Sequence, residues 1–501
     1  MSETTGSKKA MQLWLLCGFY PVLLFCSVNW YVFSWPQIGL LFLVIPSAML
    51  AGGAIWLFLS RPLIRSIHKG SPRITNLLLG LPPLILLSVL LKEPLSGMPV
   101  SGWMLWGAIA LVMAVLMSLV YQKGLKPIII LMVFLNSAAF AHFGYQVLRY
   151  APEGKKLWHT RQRARFEKVV LKQTPNIYFI IAESYPNRRH LKESFHIDNR
   201  PFYRELEKYG FQINHHFFSN YTYTLASVSS LFAMAHHRLK IAIGNNEAVS
   251  AREIIGAIRY NPVVDILRRN GYYIQYLHQS DYQLRKGAGI DFYAPQYSLY
   301  RGLKFFWNPV SEHKIPDIPT KAFLDLIKQR IRHVRTLSRP HFTYIYTLLP
   351  GHSPTLQELK NPSDVSDTME AFFRDYPRYL EGANKLLASI LQSIREFDED
   401  AVIMICGDHG PWAFRLYHDV EGAPMDADQF CMDIFGVLAA IRWPLEEGTE
   451  EIAAVKTSVN LFRTVFALLS KDRSLLIDKE PDEGYRHGKV LFRDGRVLVA
   501  H

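Results

Sequence analysis

Apolar stretches in the first 150 residues restrict the fold of this chain more than any other feature. About five of them follow one another: Met11–Trp35, Gln37–Ser60, Ile74–Leu91, Ser101–Tyr121 and Pro127–Leu148. Each holds roughly 18–25 residues, enough for a helix to cross about 30 Å of hydrocarbon. They read as membrane spans rather than as the buried helices of a soluble bundle. The first is too long for a cleaved signal peptide and is followed by four more. Pro82 and Pro83 should kink or shift the third. The expected organisation is a transmembrane domain over 1–150, a basic juxtamembrane linker over 151–175, and a globular domain over 176–501.

Orientation follows from the basic residues in the short loops. Lys8 and Lys9 precede the first stretch, and Arg61, Arg65, Lys69 and Arg73 crowd the loop between the second and third. Lys123 and Lys126 lie between the fourth and fifth. The positive-inside rule puts all of these in the cytoplasm, and five spans then leave everything after Tyr150 outside. Against this stand Arg149, Lys155, Lys156, Arg161, Arg163, Arg165 and Lys168. Early loops usually dominate and long domains translocate largely regardless of charge, so the N-terminus-inside arrangement is kept. Two readings of the run after Tyr150 stay open. It is an interfacial segment drawn to anionic headgroups, with Leu157, Trp158 and Phe166 in apolar contact, or a solvated charged linker.

The formal net charge of +13 is explained by these membrane-flanking residues. No nucleic-acid module or zinc-finger spacing accompanies it, so no nucleic-acid partner is expected. Of the four cysteines, Cys17 and Cys26 lie in an apolar stretch, leaving Cys406 and Cys431 for the globular part. That excludes a disulfide framework and a CxxC metal motif. No GxxxxGK[ST] loop occurs either.

Within the globular part, polar residues recur just past buried strands. Ala401–Cys406 reads as a strand, broken by Gly407 and followed by Asp408 and His409. In an open α/β sheet, ligands sit beyond the carboxyl ends of the strands. A carboxylate beside an imidazole there is a plausible half of a Zn²⁺ or Mn²⁺ site, and Gly410 lets the chain turn away. Asn176–Ala182 is a second strand and delivers Glu183 at its end. Glu183 is either the first acid of a helix or a metal-binding carboxylate beside Asp408 and His409.

Phe217–Leu231 offers Asn220 and Thr222 as caps for a helix opening at Thr224 and patterned by Leu225, Val228 and Leu231. A hydroxyl at that helix start either caps it or attacks phosphorus, where backbone N–H groups steady the anion. Tyr272–Leu277 ends in His278, a candidate substrate contact, and Phe342–Leu349 ends in Pro350, Gly351 and His352. Ala322–Leu337, Tyr379–Phe397 and Ser458–Ser470 are helical, Met432–Arg442 is read as one more strand, and the last 30 or so residues as a hairpin.

Five spans, then a strand ending in IIAES, then NYTYTLAS, then GDHG: in this order and spacing the chain resembles the membrane-anchored branch of the alkaline phosphatase/sulfatase superfamily. That branch includes lipoteichoic acid synthases, phosphoglycerol transferases and phosphoethanolamine transferases. The resemblance implies an α/β alkaline-phosphatase-like domain with a mostly parallel central sheet. It implies one divalent metal, Mn or Zn with Mg also accepted, bound by Glu183, Thr224, Asp408 and His409. Thr224 would be the nucleophile. His352 matches a family histidine that contacts the transferred group, and His278 matches a substrate-contacting position.

Two departures narrow the activity. Thr224 is followed by Leu225, Ala226 and Ser227, so the C/S-x-P-x-R motif that sulfatases convert to formylglycine is missing. The cysteines that surround the nucleophile in phosphoethanolamine transferases of the lipid A type are missing too. The single Glu183, where two-metal relatives carry paired aspartates, favours one metal. The expected function is transfer of a phosphoglycerol- or phosphoethanolamine-like group from a phospholipid donor to an envelope glycan or lipid acceptor. The expected location is a bacterial inner membrane, multi-pass, with the catalytic domain on the periplasmic or extracellular side. A phosphodiesterase or sulfatase-like hydrolase on the same site is the alternative, and a membrane-anchored scaffold with a degenerate site is a third reading.

Overall fold

A computed structural model describes residues 3–29, 35–68, 71–96, 115–118, 120–150, 166–236, 258, 261–280, 289–294, 318–353, 365–414, 426–486, 489–494 and 496–498. They fall into two compact units, one within Met1–Pro152 and one within Glu153–Pro295 and Pro316–His501.

The first unit is helical: Glu3–Asn29, Trp35–His68, Pro72–Ser96 and Lys126–Tyr150. Among the described residues three spans, Gly6–Ser27, Ile38–Ile64 and Lys126–Tyr145, are long and apolar enough to cross a membrane. The third expected stretch lies in Pro72–Ser96, which stays helical across Pro82 and Pro83. The fourth, Ser101–Tyr121, falls largely outside the described residues. The first two helices touch closely at Gly18, where a Cβ would stand 2.9 Å from the Pro46 Cα. Small residues at such crossings let helices pack without a hydrophobic drive from lipid. Phe58, Phe134 and Leu148 are exposed by 74, 68 and 78 %, an apolar exterior that water would penalise and lipid would not.

The second unit is built on seven strands. These are β1 (Ile177–Ala182), β2 (Phe211–Asn214), β3 (Tyr273–His278), β4 (Phe292–Ala294), β5 (His341–Thr347), β6 (Val402–Cys406) and β7 (Ala439–Arg442). They lie in the order β2-β7-β6-β1-β5-β3-β4. From β6 to β4 all pairings are parallel, and β7 is antiparallel to both its neighbours. Every residue of β1, β5 and β6 is buried. Strands covered on both faces read as continuous apolar runs, which is why β1 and β6 were visible in sequence, with β5 marked by its aromatic and β-branched residues.

One face packs under helices Arg188–Glu193, Arg200–Lys208, Thr320–Arg335 and Val365–Arg395, with Tyr178, Ile180, Ile345, Ile403 and Ile405 pointing into that core. The other lies under helices Thr224–Ala233 and Leu461–Ser470. There Phe232 meets Phe179 and Tyr344 edge to face at centroid distances of 6.1 and 5.1 Å. A small antiparallel sheet, β8 (Glu483–Arg486), β9 (Lys489–Arg493) and β10 (Arg496–Val497), replaces the expected terminal hairpin.

The expected strand Met432–Arg442 is corrected. Ala427–Phe435 is a helix whose N-cap Asp426 accepts from the Gln429 N–H, and only Ala439–Arg442 is strand. The Asp426 cap starts a helix upstream of the expected strand, and Gly436 ends it before β7 begins. The whole of the basic segment 151–165, with Leu157 and Trp158, lies outside the described residues. Part of the expected linker after it is fastened to the globular unit. Lys172 and Gln173 donate their N–H groups to the Leu469 carbonyl at 2.7 and 3.1 Å, and Leu171 donates to Asn270 Oδ1 at 2.8 Å.

Candidate active site

The parallel strands end on one edge. The partners Ala182–Thr347, Ile181–Cys406 and His278–Tyr346 are in register there. The next residues out are Glu183 after β1, Gly407–Gly410 after β6, and the loop to His352 after β5. The helix Thr224–Ala233 opens over the same cluster, because the Thr224 hydroxyl reaches His409.

Gly407 and Gly410 make the β6 turn possible by close approach. A Cβ on Gly407 would stand 2.7 Å from the Tyr185 carbonyl oxygen, and one on Gly410 would strike the Asp433 carbonyl. So Gly410 is needed to press the turn onto the Asp433–Ile434 backbone, a stronger reason than the free turn expected from sequence. The turn is held from outside by Asp433, fully buried, which accepts from Ala413 N (2.8 Å), Phe414 N (3.0 Å) and His190 Nε2 (3.1 Å).

Asp408 and His409 are buried. Asp408 Oδ1 accepts from Ser184 N (2.9 Å) and from His409 N (3.1 Å), while Oδ2 is buried with no hydrogen-bond partner. Ser184 sits in the left-handed region at φ 55°, a conformation that costs a non-glycine residue roughly 1 kcal/mol or more. The strain turns its N–H onto the carboxylate. His409 Nδ1 lies 2.8 Å from the Gly410 carbonyl and 3.1 Å from Ser184 Oγ. A carbonyl only accepts, so Nδ1 carries the proton and Nε2 presents its lone pair. Nε2 stands 3.1 Å from Thr224 Oγ1 and 3.7 Å from Asp408 Oδ2.

Thr224 is the first residue of its helix and 4 % exposed. Neither expected cap residue caps it: Tyr223 occupies that position and makes no side-chain capping hydrogen bond. Asn220 instead ties the preceding segment to remote parts of the chain. Its Oδ1 accepts from Ser458 Oγ (2.9 Å) and Val459 N (2.8 Å), its Nδ2 donates to the Glu483 carbonyl (2.7 Å), and its own carbonyl receives Tyr485 N (2.9 Å). Tyr221 stacks on Tyr485 at 5.6 Å.

Glu183 emerges at the same edge, its N–H on the Thr347 carbonyl (3.0 Å) and its carbonyl receiving Gly351 N (3.0 Å). Its carboxylate neighbours the buried Tyr346. Burial first, then the Glu183 and Asp408 charges, push the Tyr346 phenol well above its ordinary pKa. His352 Nδ1 is 2.6 Å from the Ser353 carbonyl. Its ring stands 5.6 Å from that of His409 and 4.2 Å from Trp412, which stacks on His409 at 4.7 Å and 13°. Ser353 Oγ donates to the Trp412 carbonyl at 2.8 Å, locking the two loops together. His278, expected as a substrate contact, is fully buried among Tyr276, Tyr344 and Tyr346, and neither ring nitrogen has a partner. Burial pulls it down to about 3.

The structure therefore gathers Thr224, Asp408 and His409, sets His352 beside them, leaves Glu183 at the rim and encloses His278. Sequence reasoning missed Trp412 and Asp433 and gave Ser184 no role; the serine of IIAES and the PW after GDHG were the available signals. No group of three or more His, Cys, Asp and Glu side chains gathers among the described residues. The donors that do converge fit a divalent cation. Asp408 Oδ2 is an orphaned buried oxyanion, His409 Nε2 is a lone pair fixed by its other nitrogen, and Thr224 Oγ1 completes them. Ligands about 2 Å from a tetrahedral ion stand roughly 3.3 Å apart, and His409 Nε2 stands 3.1 Å from Thr224 Oγ1 and 3.7 Å from Asp408 Oδ2.

A mostly parallel sheet with buried oxygen and nitrogen donors past its strand ends fits the alkaline phosphatase/sulfatase superfamily. Residues 175–471 match the sulfatase family, and the chain belongs to that family. No curated protein matches it. Among solved structures, the zinc complex of the C-terminal periplasmic domain of EptC from Escherichia coli is 10 % identical with a TM-score of 0.42, covering 64 % of this chain and 91 % of that one. The corresponding domain of the phosphoethanolamine transferase EptC from Campylobacter jejuni is 15 % identical at 0.36, covering 60 and 90 %. A phosphonate monoester hydrolase of Agrobacterium radiobacter is 14 % identical at 0.39, covering 59 and 73 %.

Proposed function

We propose that this chain is a metal-dependent transferase anchored in a bacterial inner membrane. It moves a phosphoglycerol- or phosphoethanolamine-like group from a phospholipid to a glycan or lipid of the cell envelope. The observation that carries this reading is the 3.1 Å contact between Thr224 Oγ1 and a lone pair of His409, beside the partnerless Asp408 Oδ2. The three apolar spans supply the anchor, and the catalytic domain is assigned to the outer side of the membrane.

Glu183, Thr224, Asp408 and His409 would hold one divalent ion, Mn or Zn, with Mg also suited to the oxygens. Such an ion supplies a lower pKa for a bound hydroxyl and charge stabilisation for phosphoryl oxygens. Thr224 Oγ attacks phosphorus, the P–O bond to the diacylglycerol breaks, and the hydroxyl proton leaves Oγ. The leaving diacylglycerol oxygen takes up a proton, for which His352 Nε2 is the relay. The acceptor hydroxyl then attacks phosphorus, displaces Thr224 Oγ and returns its proton. Ser184 and Gly410 hold the His409 tautomer through both steps, and Trp412 keeps water from its ring face.

The test is incubation of the full chain with phosphatidylglycerol, followed by mass spectrometry of Thr224 and assay of released diacylglycerol. A phosphoglycerol adduct on Thr224 is expected, and Thr224→Ala should lower turnover by about 10³-fold or more. A Thr224→Ala protein that releases diacylglycerol near the wild-type rate refutes the assignment. Product formation with water alone, unaffected by added glycan, would make the enzyme a phosphodiesterase instead.

A further inference from the structure

Outside the catalytic cluster, helix Arg188–Glu193 and the turn after it border a cavity of about 440 Å³. Its lining includes Arg188, Lys192, His196, Asp198, Asn199 and Arg200. The volume is that of a small-molecule site. These residues form the first half of the crossover from β1 to β2, and the two strands run parallel through β6 and β7. The cavity therefore lies toward the sheet edge at which β1 delivers Glu183.

The charges in this segment are unevenly answered. Arg189 is paired with Glu193 (3.0 Å) and Asp428 (2.6 Å), and Arg200 with Asp198 (2.6 Å). Arg188 and Lys192 have no carboxylate within ion-pair distance among the described residues. They stand one helical turn apart, where like charges repel. With His196 neutral, the lining carries two net positive charges. One wall is also rigid. Asn199 Nδ2 donates to Tyr185 OH (2.7 Å), Tyr185 OH to Asn384 Oδ1 (2.5 Å), and Asn384 Nδ2 to Asn199 Oδ1 (2.9 Å), a closed ring of three bonds. His196 is held in the left-handed region at φ 56°, a strain that clusters at ligand sites.

We propose that this cavity is an accessory phosphate subsite, taking a phosphate group either free or on a lipid headgroup. A guanidinium fork and an ammonium on one helix face match the several acceptor oxygens of a tetrahedral phosphate better than a single carboxylate. Its affinity is independent of the chemistry at Thr224, since none of its residues belongs to the catalytic set.

The experiment titrates the full chain, in uncharged detergent, with inorganic phosphate by calorimetry. Arg188→Gln/Lys192→Gln should weaken the affected binding component about tenfold, the sum of two exposed charge-assisted contacts. Any phosphate bound at the catalytic site appears equally in both proteins. Arg188→Lys/Lys192→Arg should restore binding, and Asp198→Asn, which removes the one anion of the lining, should tighten it. A misfolded variant could not produce that opposite sign. In a second arm, glycerophosphoglycerol, the deacylated water-soluble headgroup, replaces inorganic phosphate in the same titration and separates the sources. Loss in the double Gln variant assigns the headgroup, and full retention assigns the free anion. Superimposable phosphate isotherms for wild type and the double Gln variant, or weaker binding by Asp198→Asn, overturn the proposal.

Discussion

Replacing Asp433 by Ala tests whether the GDHG turn is held from behind. Asp433 is fully buried and accepts from Ala413 N, Phe414 N and His190 Nε2 at 2.8, 3.0 and 3.1 Å. Deleting the carboxylate orphans three donors. Each buried orphan costs about 1–3 kcal/mol, and water reaches Phe414 more readily than the other two. The expected total is about 3–5 kcal/mol. For a domain of this size that corresponds to a fall of about 6–10 °C in the thermal midpoint, read by differential scanning fluorimetry of the full chain. Asp433→Asn keeps one acceptor oxygen and should lose about half as much. Activity should fall further than stability accounts for. Trp412, which stacks on His409, directly precedes Ala413 and Phe414, whose N–H groups lose their acceptor in this variant. A shift of about 1 Å in a catalytic group costs roughly 100-fold. The assay at 20 °C, well below either midpoint, is hydrolysis of a chromogenic phosphodiester. A midpoint for Asp433→Ala within about 1 °C of wild type, with turnover unchanged, refutes the bracing role.

Two further outcomes follow from the same cluster. Gly410→Ala puts a methyl group into the Asp433 carbonyl, backbone against backbone, so it should cost about 3 kcal/mol or more and abolish diacylglycerol release; a variant with wild-type midpoint and rate contradicts the close approach. His278 titrates at about 3 in the folded protein because burial disfavours its charge, against about 6.5 when unfolded. Between those values the unfolded chain holds a proton that the native one refuses. Stability conferred by the neutral ring is therefore lost as pH falls from about 6.5 toward 3, by up to about 1.4 kcal/mol per pH unit. His278→Phe should flatten the pH dependence of the midpoint between about pH 6.5 and 4.5, and a slope equal to wild type would show that His278 ionises freely.

Much of this arrangement was legible before any coordinates, for a physical reason. β1 and β6 are buried on both faces and read as apolar runs, β5 as a run rich in aromatic and β-branched residues, and the first charged or imidazole side chain past each lies at the sheet edge. Glu183, His352, Asp408 and His409 were found that way. The helix start at Thr224 was visible from its apolar spacing, but its neighbours were misassigned. Asn220 looks like a cap in isolation and is spent instead on Ser458, Val459, Glu483 and Tyr485, partners that no local pattern reveals. The run Met432–Arg442 has no periodicity to separate helix from strand, and the Asp426 cap that decides it stands six positions upstream. Trp412 and Asp433 escaped because their roles are relational. One is a ring against His409, the other an acceptor for amides twenty positions away.

The tether from Asn220 to Glu483 joins residues 263 positions apart. A ribosome releases Thr224 long before it releases that partner. Until residue 483 emerges, the segment that carries Thr224 lacks this downstream partner. The placement of Thr224 over the strand ends is thus among the last features of the fold that a growing polypeptide can complete.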